Sequence, residues 1–597
     1  MAHVDLGKLV LARRREARRT ALLPRPRRPT LAGLLQASLP VCSASSPCVW
    51  GGRGHRGLTA FALPPNPSHP PRPWDIQALG LAEYARDFLD GGGRPGDAVL
   101  RRTSEFFTDA TLCGASALAL RTNAPLVLRE EALSYAAEGG DSALGRGATV
   151  FGSGRRVRAE KAALANCAAV REWDSNGTNF GFHERRTNHR AGEFGHNDYY
   201  PAVVAACQQT GRDGAYALRA MVLLDEIRGR LAEVFSLKTY KVDHVLHGAV
   251  ASAVVYGTIM GATARQVESA VGLVVAHHVP FRAIRAGHQL SDSKGSSAAI
   301  STEAALAGVH RSLLGFQGPR DIFRNPEAVF RLFGQDPALQ AGPAGGDSPF
   351  DLHLETDGDD FAVMGMHFKL GLYEHQSAGA IQALLNILGS EEGRGLLNSP
   401  GGDDIARIRI TAYEPAYGII GDPAKMNPRT RQSADHSMAY IVSTLVRKAL
   451  EAGRVGAGEE AWKDLMLGPH DYDAAAIHHP VTRALMSKVE FRHGGPEYDE
   501  RYPDGIPTSV TVEGSGGESF LSGLVMYPGG HARNTEHDLQ DILDHKFRLL
   551  GGLAFEDPDP IVKQLLGVGG LSAADLDKLH SFPLREYEAF VDASDEN

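Results

Sequence analysis

The fold turns on residues 218–234, LRAMVLLDEIRGRLAEV, and on residues 249–260, AVASAVVYGTIM. In the first, Leu218, Met221, Val222, Leu224, Ile227, Leu231 and Val234 recur at steps of three and four, which is the period of one helix face. The second is rich in Ala, Gly, Ser and Val. Small side chains let helices approach closely, so it predicts a helix buried in a packed bundle. Beyond it, Thr263 and Gln266 have capping-box spacing ahead of an apolar run, Val267 to Val275. Another Ala-rich helix is expected over 297–309.

Working outward, residues 75–340 read as helical, and 340–360 form a Gly-, Pro- and Asp-rich loop or boundary. The texture then changes. Ile408 and Ile410 alternate with Arg407 and Arg409, a strand pattern. Shorter strands are expected at 488–492, 508–513 and 520–527, with helices over about 374–388 and 433–451. After His531 the pattern is helical again, with Leu539, Ile542, Leu543 and Phe547.

The chain has 597 residues, more than one ordinary domain holds, and is 43% hydrophobic and 22% charged, a globular composition. No stretch reaches 18 uninterrupted apolar residues, which argues against a membrane span. Charge is uneven. Residues 1–74 carry +10, because 11 Arg and Lys8 face only Asp5 and Glu16; the rest carries −19 of the overall −9. An acidic body repels phosphate backbones, so nucleic acid is not the expected partner.

The basic segment is Arg-rich, acid-poor and dotted with Ser, and it ends in the Pro-rich run Pro64 to Pro73. It is read as an organellar transit peptide and linker, with the mitochondrial matrix as destination and the folded body starting near Trp74. A disordered basic tail is the alternative. Beyond it only Cys113, Cys167 and Cys207 remain, far apart and without C-x-x-C, a reduced-compartment pattern.

Polar residues gather in three places. Arg171-Glu-Trp-Asp-Ser-Asn-Gly-Thr178 is followed by His183, His189 and Glu193-Phe-Gly-His-Asn-Asp198, a supply of acids and bases near neutral pH. His244 and His247 head the Ala-rich helix. His288 precedes Ser291-Asp-Ser-Lys-Gly-Ser296, and Lys369, Asp435, His436 and Tyr440 stand out in the α+β region. Glycine-flanked Asp, Asn and Thr serve equally as turn and cap residues. His196-Asn-Asp198 has the H-x-D spacing of an iron triad, but its surroundings read helical rather than β-rich. Position 187 is Thr, so His183-Glu184 does not begin H-E-x-x-H, and Gly567-Val-Gly-Gly570 follows no strand as a dinucleotide loop must.

In chain order, Ala148-Thr-Val-Phe-Gly-Ser-Gly-Arg-Arg-Val157, Ala162-Ala-Leu-Ala-Asn166, Trp173-Asp-Ser-Asn-Gly-Thr178, Gly195-His-Asn197 and Val242-Asp-His244 carry a family resemblance. Ser293-Lys-Gly-Ser-Ser-Ala298, Phe368-Lys369, His436-Ser-Met-Ala-Tyr440 and Tyr527-Pro-Gly-Gly-His531 continue it. The series resembles the MmgE/PrpD family, which includes 2-methylcitrate dehydratase and cis-aconitate decarboxylase. The resemblance implies a mainly α fold: a helical domain built from both chain ends (75–365 and 531–597) and an inserted α+β lid (366–530). It implies a homodimer without metal or cofactor, acting on a small tricarboxylate. Asp174, Thr178, His196, His244, Lys294 and Tyr440 would be catalytic, and Lys294, Lys369 and Tyr440 would bind substrate.

The activity implied is a hydro-lyase reaction, 2-methylcitrate to 2-methyl-cis-aconitate, in propionate catabolism (the methylcitrate cycle). A cis-aconitate decarboxylase making itaconate uses the same residues and stays open, as does a non-catalytic metabolite-binding protein on the same fold. Two departures stand out. The family's Asp-x-Asp-Asp-Thr is here Asp174-Ser-Asn-Gly-Thr178, and about ten extra residues, near Gly181 to Arg190, precede His196.

Overall fold

The small-residue run becomes the centre of the helical layer. The computed structural model describes residues 77–591 apart from 141, 287–288, 326, 333–349 and 351. The basic leader, His288 and part of the 340–360 loop therefore lie outside the described residues. The layer contains α1 (Asp97–Ala119), α2 (Ala159–Arg171), α3 (Tyr200–Thr210), α4 (Gly214–Val234), α5 (Val245–Ile259), α6 (Ala264–His277) and α7 (Asp292–Leu313). Helix α5 packs against α3, α4, α6 and α7 at once, and all its residues but Thr258 are buried. Close approach needs missing side chains: a Cβ at Gly248 would overlap the Tyr199 ring. The expected capping box opens α6, with the Gln266 N–H donating to Thr263 Oγ1 (3.3 Å) and the Thr263 N–H to Gln266 Oε1 (2.9 Å), a motif worth about 1 kcal/mol.

Helix α4 shows the expected apolar face, yet its polar face is buried too. Arg228 pairs with Asp225 (2.6 Å) and Arg230 with Glu226 (2.9 Å) and Glu233 (3.0 Å). Glu226 also accepts the backbone N–H groups of Glu355 (2.9 Å) and Ala362 (2.6 Å). Covering an amphipathic helix on both sides requires such internal pairing, because an unpaired buried charge is strongly destabilising.

Two strands, β1 (Thr178–Asn179) and β2 (Gly195–His196), form a small antiparallel hairpin within this layer. The α+β part holds β3 (Ile405–Ala412), β4 (Val489–His493), β5 (Thr508–Gly514) and β6 (Ser519–Leu521), in sheet order β6-β5-β3-β4. Strand β3 runs parallel to β4 and antiparallel to β5. Ile408 and Ile410 point into the core, while Arg407 and Arg409 meet Glu490 and Glu513 on the open face. Helix α8 (Ala378–Gly389) covers β5 and packs on α9 (Met438–Ala452). The strand expected over 520–527 stops at Leu521; past the turn at Gly523 only the Val525–Thr508 bridge remains.

The chain then returns. Helices α10 (Leu539–Ala554) and α11 (Asp559–Leu566) pack on α1, so the helical layer takes both chain ends. One continuous buried core runs through both parts, without a break at 366 or 531. Cys113, Cys167 and Cys207 are free and buried. Among the described residues no helix is long and apolar enough to cross a membrane.

Candidate active site

Helix α2 ends at Arg171, and the chain then turns through the polar cluster into β1. Asp174 sits at the turn with φ of +50°, a left-handed conformation costly for most residues and tolerated best by Asp and Asn. Thr178 pairs with His196 across the hairpin and exchanges backbone hydrogen bonds with His367 (3.0 and 2.7 Å). That second pairing brings the 367–369 segment under the cluster. Lys546 of α10 fixes it from below: its ammonium donates to the carbonyls of Ser175 and Lys369 (both 2.7 Å) and pairs with Asp109 (2.6 Å).

The result is a fully buried ionic network. The Asp174 carboxylate meets Arg171 and Lys369 at one oxygen and Lys294 at the other (2.9 Å). Lys294 also reaches Asp435 (3.0 Å), and Asp435 accepts from His436 Nδ1 (2.6 Å). Arg431 ties Asp435 to Glu172. Burial alone would raise the Asp174 carboxyl, but Arg171, Lys294, Lys369 and His436 hold it well below the ordinary range. A carboxylate so held is a poor proton acceptor. Asp174, Asp435 and His436 offer three ligand atoms within 4.8 Å of one another. Lys294 already bridges the two carboxylates, and a divalent cation would face Arg171 and Lys369 as well, so this donor set does not suit a metal.

Above the network lies a small cavity of about 30 Å³, room for about two waters. His196, His244 and His436 line it, with Arg171, Arg282, Arg285 and Lys425 as cations and Glu374 as the acid. The rings of His196 and His244 lie 5.2 Å apart. Neither nitrogen of His244 nor Nδ1 of His196 has a hydrogen-bond partner among the described residues. Burial, with Arg171 adding to it, pushes both imidazoles well below the usual value, so both are neutral. Burial has the opposite effect on Glu374, raising its carboxyl against the pull of Lys369. Groups whose environments drive their proton affinities apart mark an acid–base site.

The free cations are not those expected. Lys294 and Lys369 are committed to Asp174, whereas Arg282 Nη1 and Lys425 Nζ are buried with no partner among the described residues. Their own segments gave no motif, so residue pattern alone did not find them. Arg285 is occupied by Asp243.

The structure brings Asp174, Lys294 and Lys369 together in the network and places His196 and His244 on the cavity. Tyr440 lies apart: its hydroxyl donates to the Asp471 carbonyl (2.5 Å). Thr178 donates its hydroxyl to the Gly195 carbonyl (2.8 Å), which pins the hairpin base. His196 is on a short strand, not the helical setting expected, while Asp198 accepts from Asn176 (2.6 Å). That bond explains one departure, since an acid at 176 would face Asp198. Gly177 explains the other, because a Cβ there would press on the Phe106 ring (2.5 Å), itself stacked on Phe368 at 3.8 Å.

A buried, cation-lined cavity with neutral imidazoles opposite a carboxyl of raised proton affinity defines an acid–base site for small polyanions. The chain belongs to the MmgE/PrpD family: its residues 92–341 match the MmgE/PrpD N-terminal domain and 373–559 the C-terminal domain. It is 24% identical over 414 residues to a 2-methylcitrate dehydratase of Escherichia coli strain K12, covering 66% of this chain and 77% of that one. A 2-methylcitrate dehydratase of Cupriavidus necator is 25% identical over the same shares, and an alkylcitrate dehydratase of a fungal species is 23% identical over 57% of this chain and 62% of its own. These relatives are hydro-lyases, which supports a lyase at the level of the family.

Proposed function

We propose that this chain is a hydro-lyase that removes water from 2-methylcitrate to give 2-methyl-cis-aconitate, in the methylcitrate cycle of propionate catabolism. The observation that carries the reading is the coexistence in one cavity of free neutral imidazoles, a carboxyl raised by burial, and two unpartnered cations. Arg282 and Lys425 hold substrate carboxylates by charge-assisted hydrogen bonds. Removing a proton beside a carboxylate builds a second negative charge on it, and the cavity cations favour that transition state. The bound substrate's carboxylates raise the proton affinity of the imidazoles beside them. His196 or His244 takes the carbon-bound proton, the C=C bond forms, and the C–O bond breaks as Glu374 protonates the departing hydroxyl. The balance is one water lost. Asp174 orders Lys294, Lys369 and Arg171 beneath the reacting carbons instead of acting as the base.

A tricarboxylate is larger than a 30 Å³ cavity, so the walls must part to admit it. The 419–425 segment supplies Ile419, Ile420 and Lys425 to those walls. The basic segment 1–74 supports import into the mitochondrial matrix, and a reporter fused to it should enter mitochondria; cytosolic retention would defeat that reading. The family resemblance supports a homodimer, to be tested by sedimentation.

The test of the reaction is to incubate the full chain separately with 2-methylcitrate and cis-aconitate and follow products by NMR. Formation of 2-methyl-cis-aconitate from the first is the expected result. Itaconate and CO₂ from the second would move the chain to decarboxylation, and neither product from folded protein would contradict an enzymatic role for this cavity.

A further inference from the structure

A second cavity, of about 260 Å³, opens beside the extra residues that lengthen the β1–β2 hairpin. Phe182, His183 and Arg185 from that loop form one wall, and His367, His531 and Arg533 form another. The Phe180 ring separates it from the catalytic cavity, lying 5.7 Å from Phe194, which lines the other side. The mechanism above uses none of these residues.

Two hydrogen-bond donors here are fixed by backbone chemistry. The Ala532 N–H donates to His367 Nδ1 (2.9 Å), and the Arg533 N–H donates to His531 Nδ1 (3.1 Å). A backbone N–H can only donate, so each Nδ1 is a bare acceptor and each neutral ring carries its proton on Nε2. The two rings stack at 4.1 Å. Neither Nε2 has an acceptor among the described residues, and that of His531 is fully buried. A buried N–H without an acceptor is destabilising, so the cavity favours a guest that supplies one.

The guest's chemistry follows from the walls. Of the four acids that line it, Asp360 is paired with His183, Arg185 and Arg186, Asp504 with Arg533, and Glu233 with Arg230 and His189, while Glu184 is exposed to solvent. Arg533 lies over the Phe182 ring at 5.7 Å and the Tyr527 ring at 4.9 Å, so its guanidinium is held against aromatic faces. We propose that this cavity is a second small-molecule site, distinct from the catalytic one, that binds a carboxylate carried on a compact aromatic or apolar body. The carboxylate accepts from His367 and His531 beside Arg533, and the body lies among Phe180, Phe182 and Pro503.

The test uses benzoate as probe, with binding to the full chain measured by calorimetry and ligand-observed NMR. Wild-type protein should bind it, and excess citrate, which competes for the catalytic cavity, should not displace it. His531→Phe keeps the ring stack but removes the N–H, and should weaken binding about tenfold, the worth of a hydrogen bond to a charged group. Arg533→Gln provides an independent second variant and should weaken it similarly, with circular dichroism checking the fold because Asp504 loses its partner. No binding to wild type, displacement by citrate, or unchanged affinity in a folded Arg533→Gln protein would each overturn the proposal.

Discussion

Two pairs of buried histidines line two cavities, and they differ in what has been done to their nitrogens. In the catalytic cavity His196 and His244 are neutral through burial, have unbonded nitrogens and face cations. In the second cavity His367 and His531 are also neutral, His367 being pushed down to about 3 by burial and Arg102, but backbone N–H groups lock their tautomers. A free neutral imidazole exchanges protons; a locked one offers a fixed donor. The same residue type therefore builds a reactive site in one region and a recognition surface in the other, and burial alone does not distinguish them.

The comparison breaks if the pairs behave alike on mutation. His196→Gln and His244→Gln should each lower kcat for 2-methylcitrate by about 10²–10⁴-fold with the fold intact, the usual contribution of a positioned proton carrier. Glu374→Gln should fall in the same range, while His531→Phe should leave kcat largely unchanged. Steady-state kinetics beside circular dichroism checks all four.

Asp174→Asn probes the network beneath. It leaves Lys369 and Arg171 buried without their carboxylate and should cost about 3–5 kcal/mol of stability, read from denaturant unfolding. Removing a free cation is milder. Arg282→Gln should raise KM about tenfold with little loss of kcat if its contact is the same in ground and transition states, as one charge-assisted hydrogen bond would predict.

The most diffuse effect is spread over pH and rests on the burial that both pairs share. His247 and His580 are held at about 4 and His367 and His436 at about 3, against 6.5 when unfolded, chiefly because burial disfavours the charged ring. Unfolded chains then bind protons that the native state refuses, so stability falls as pH drops below 6.5 and continues to fall toward the folded values. Each histidine contributes up to about 1.4 kcal/mol per pH unit in that window. Tm should start declining near pH 6.5, above the carboxylate range; a Tm flat down to pH 5 would show that these rings are hydrated or already charged.

Much of this was legible in the residues and some was not. The period of Leu218 to Val234, the small-residue texture of 249–260, the Thr263/Gln266 cap and the Ile408/Ile410 alternation each encode a local preference, and each became the expected element. The two-residue strands at 178 and 195 are too short to leave a period, so the hairpin that carries His196 was invisible. Its partner is His367, far along the chain, and such long-range pairing has no local signature. Tyr440 shows the converse: a motif supplied the residue, and tertiary structure turned its hydroxyl to the Asp471 carbonyl. Arg282, Lys425 and Lys546 are single cations in unremarked segments, and only folding shows which cations remain unpaired.

The most direct test of the central claim is the protonation state of the catalytic pair. Ring Cε1–H correlation spectra of histidine-labelled protein, assigned with the His196→Gln and His244→Gln variants, should be followed from pH 8 to pH 5.5. Both rings are predicted to remain neutral across that range. A titration midpoint at or above the ordinary imidazole value of 6.5 for either ring would contradict the account.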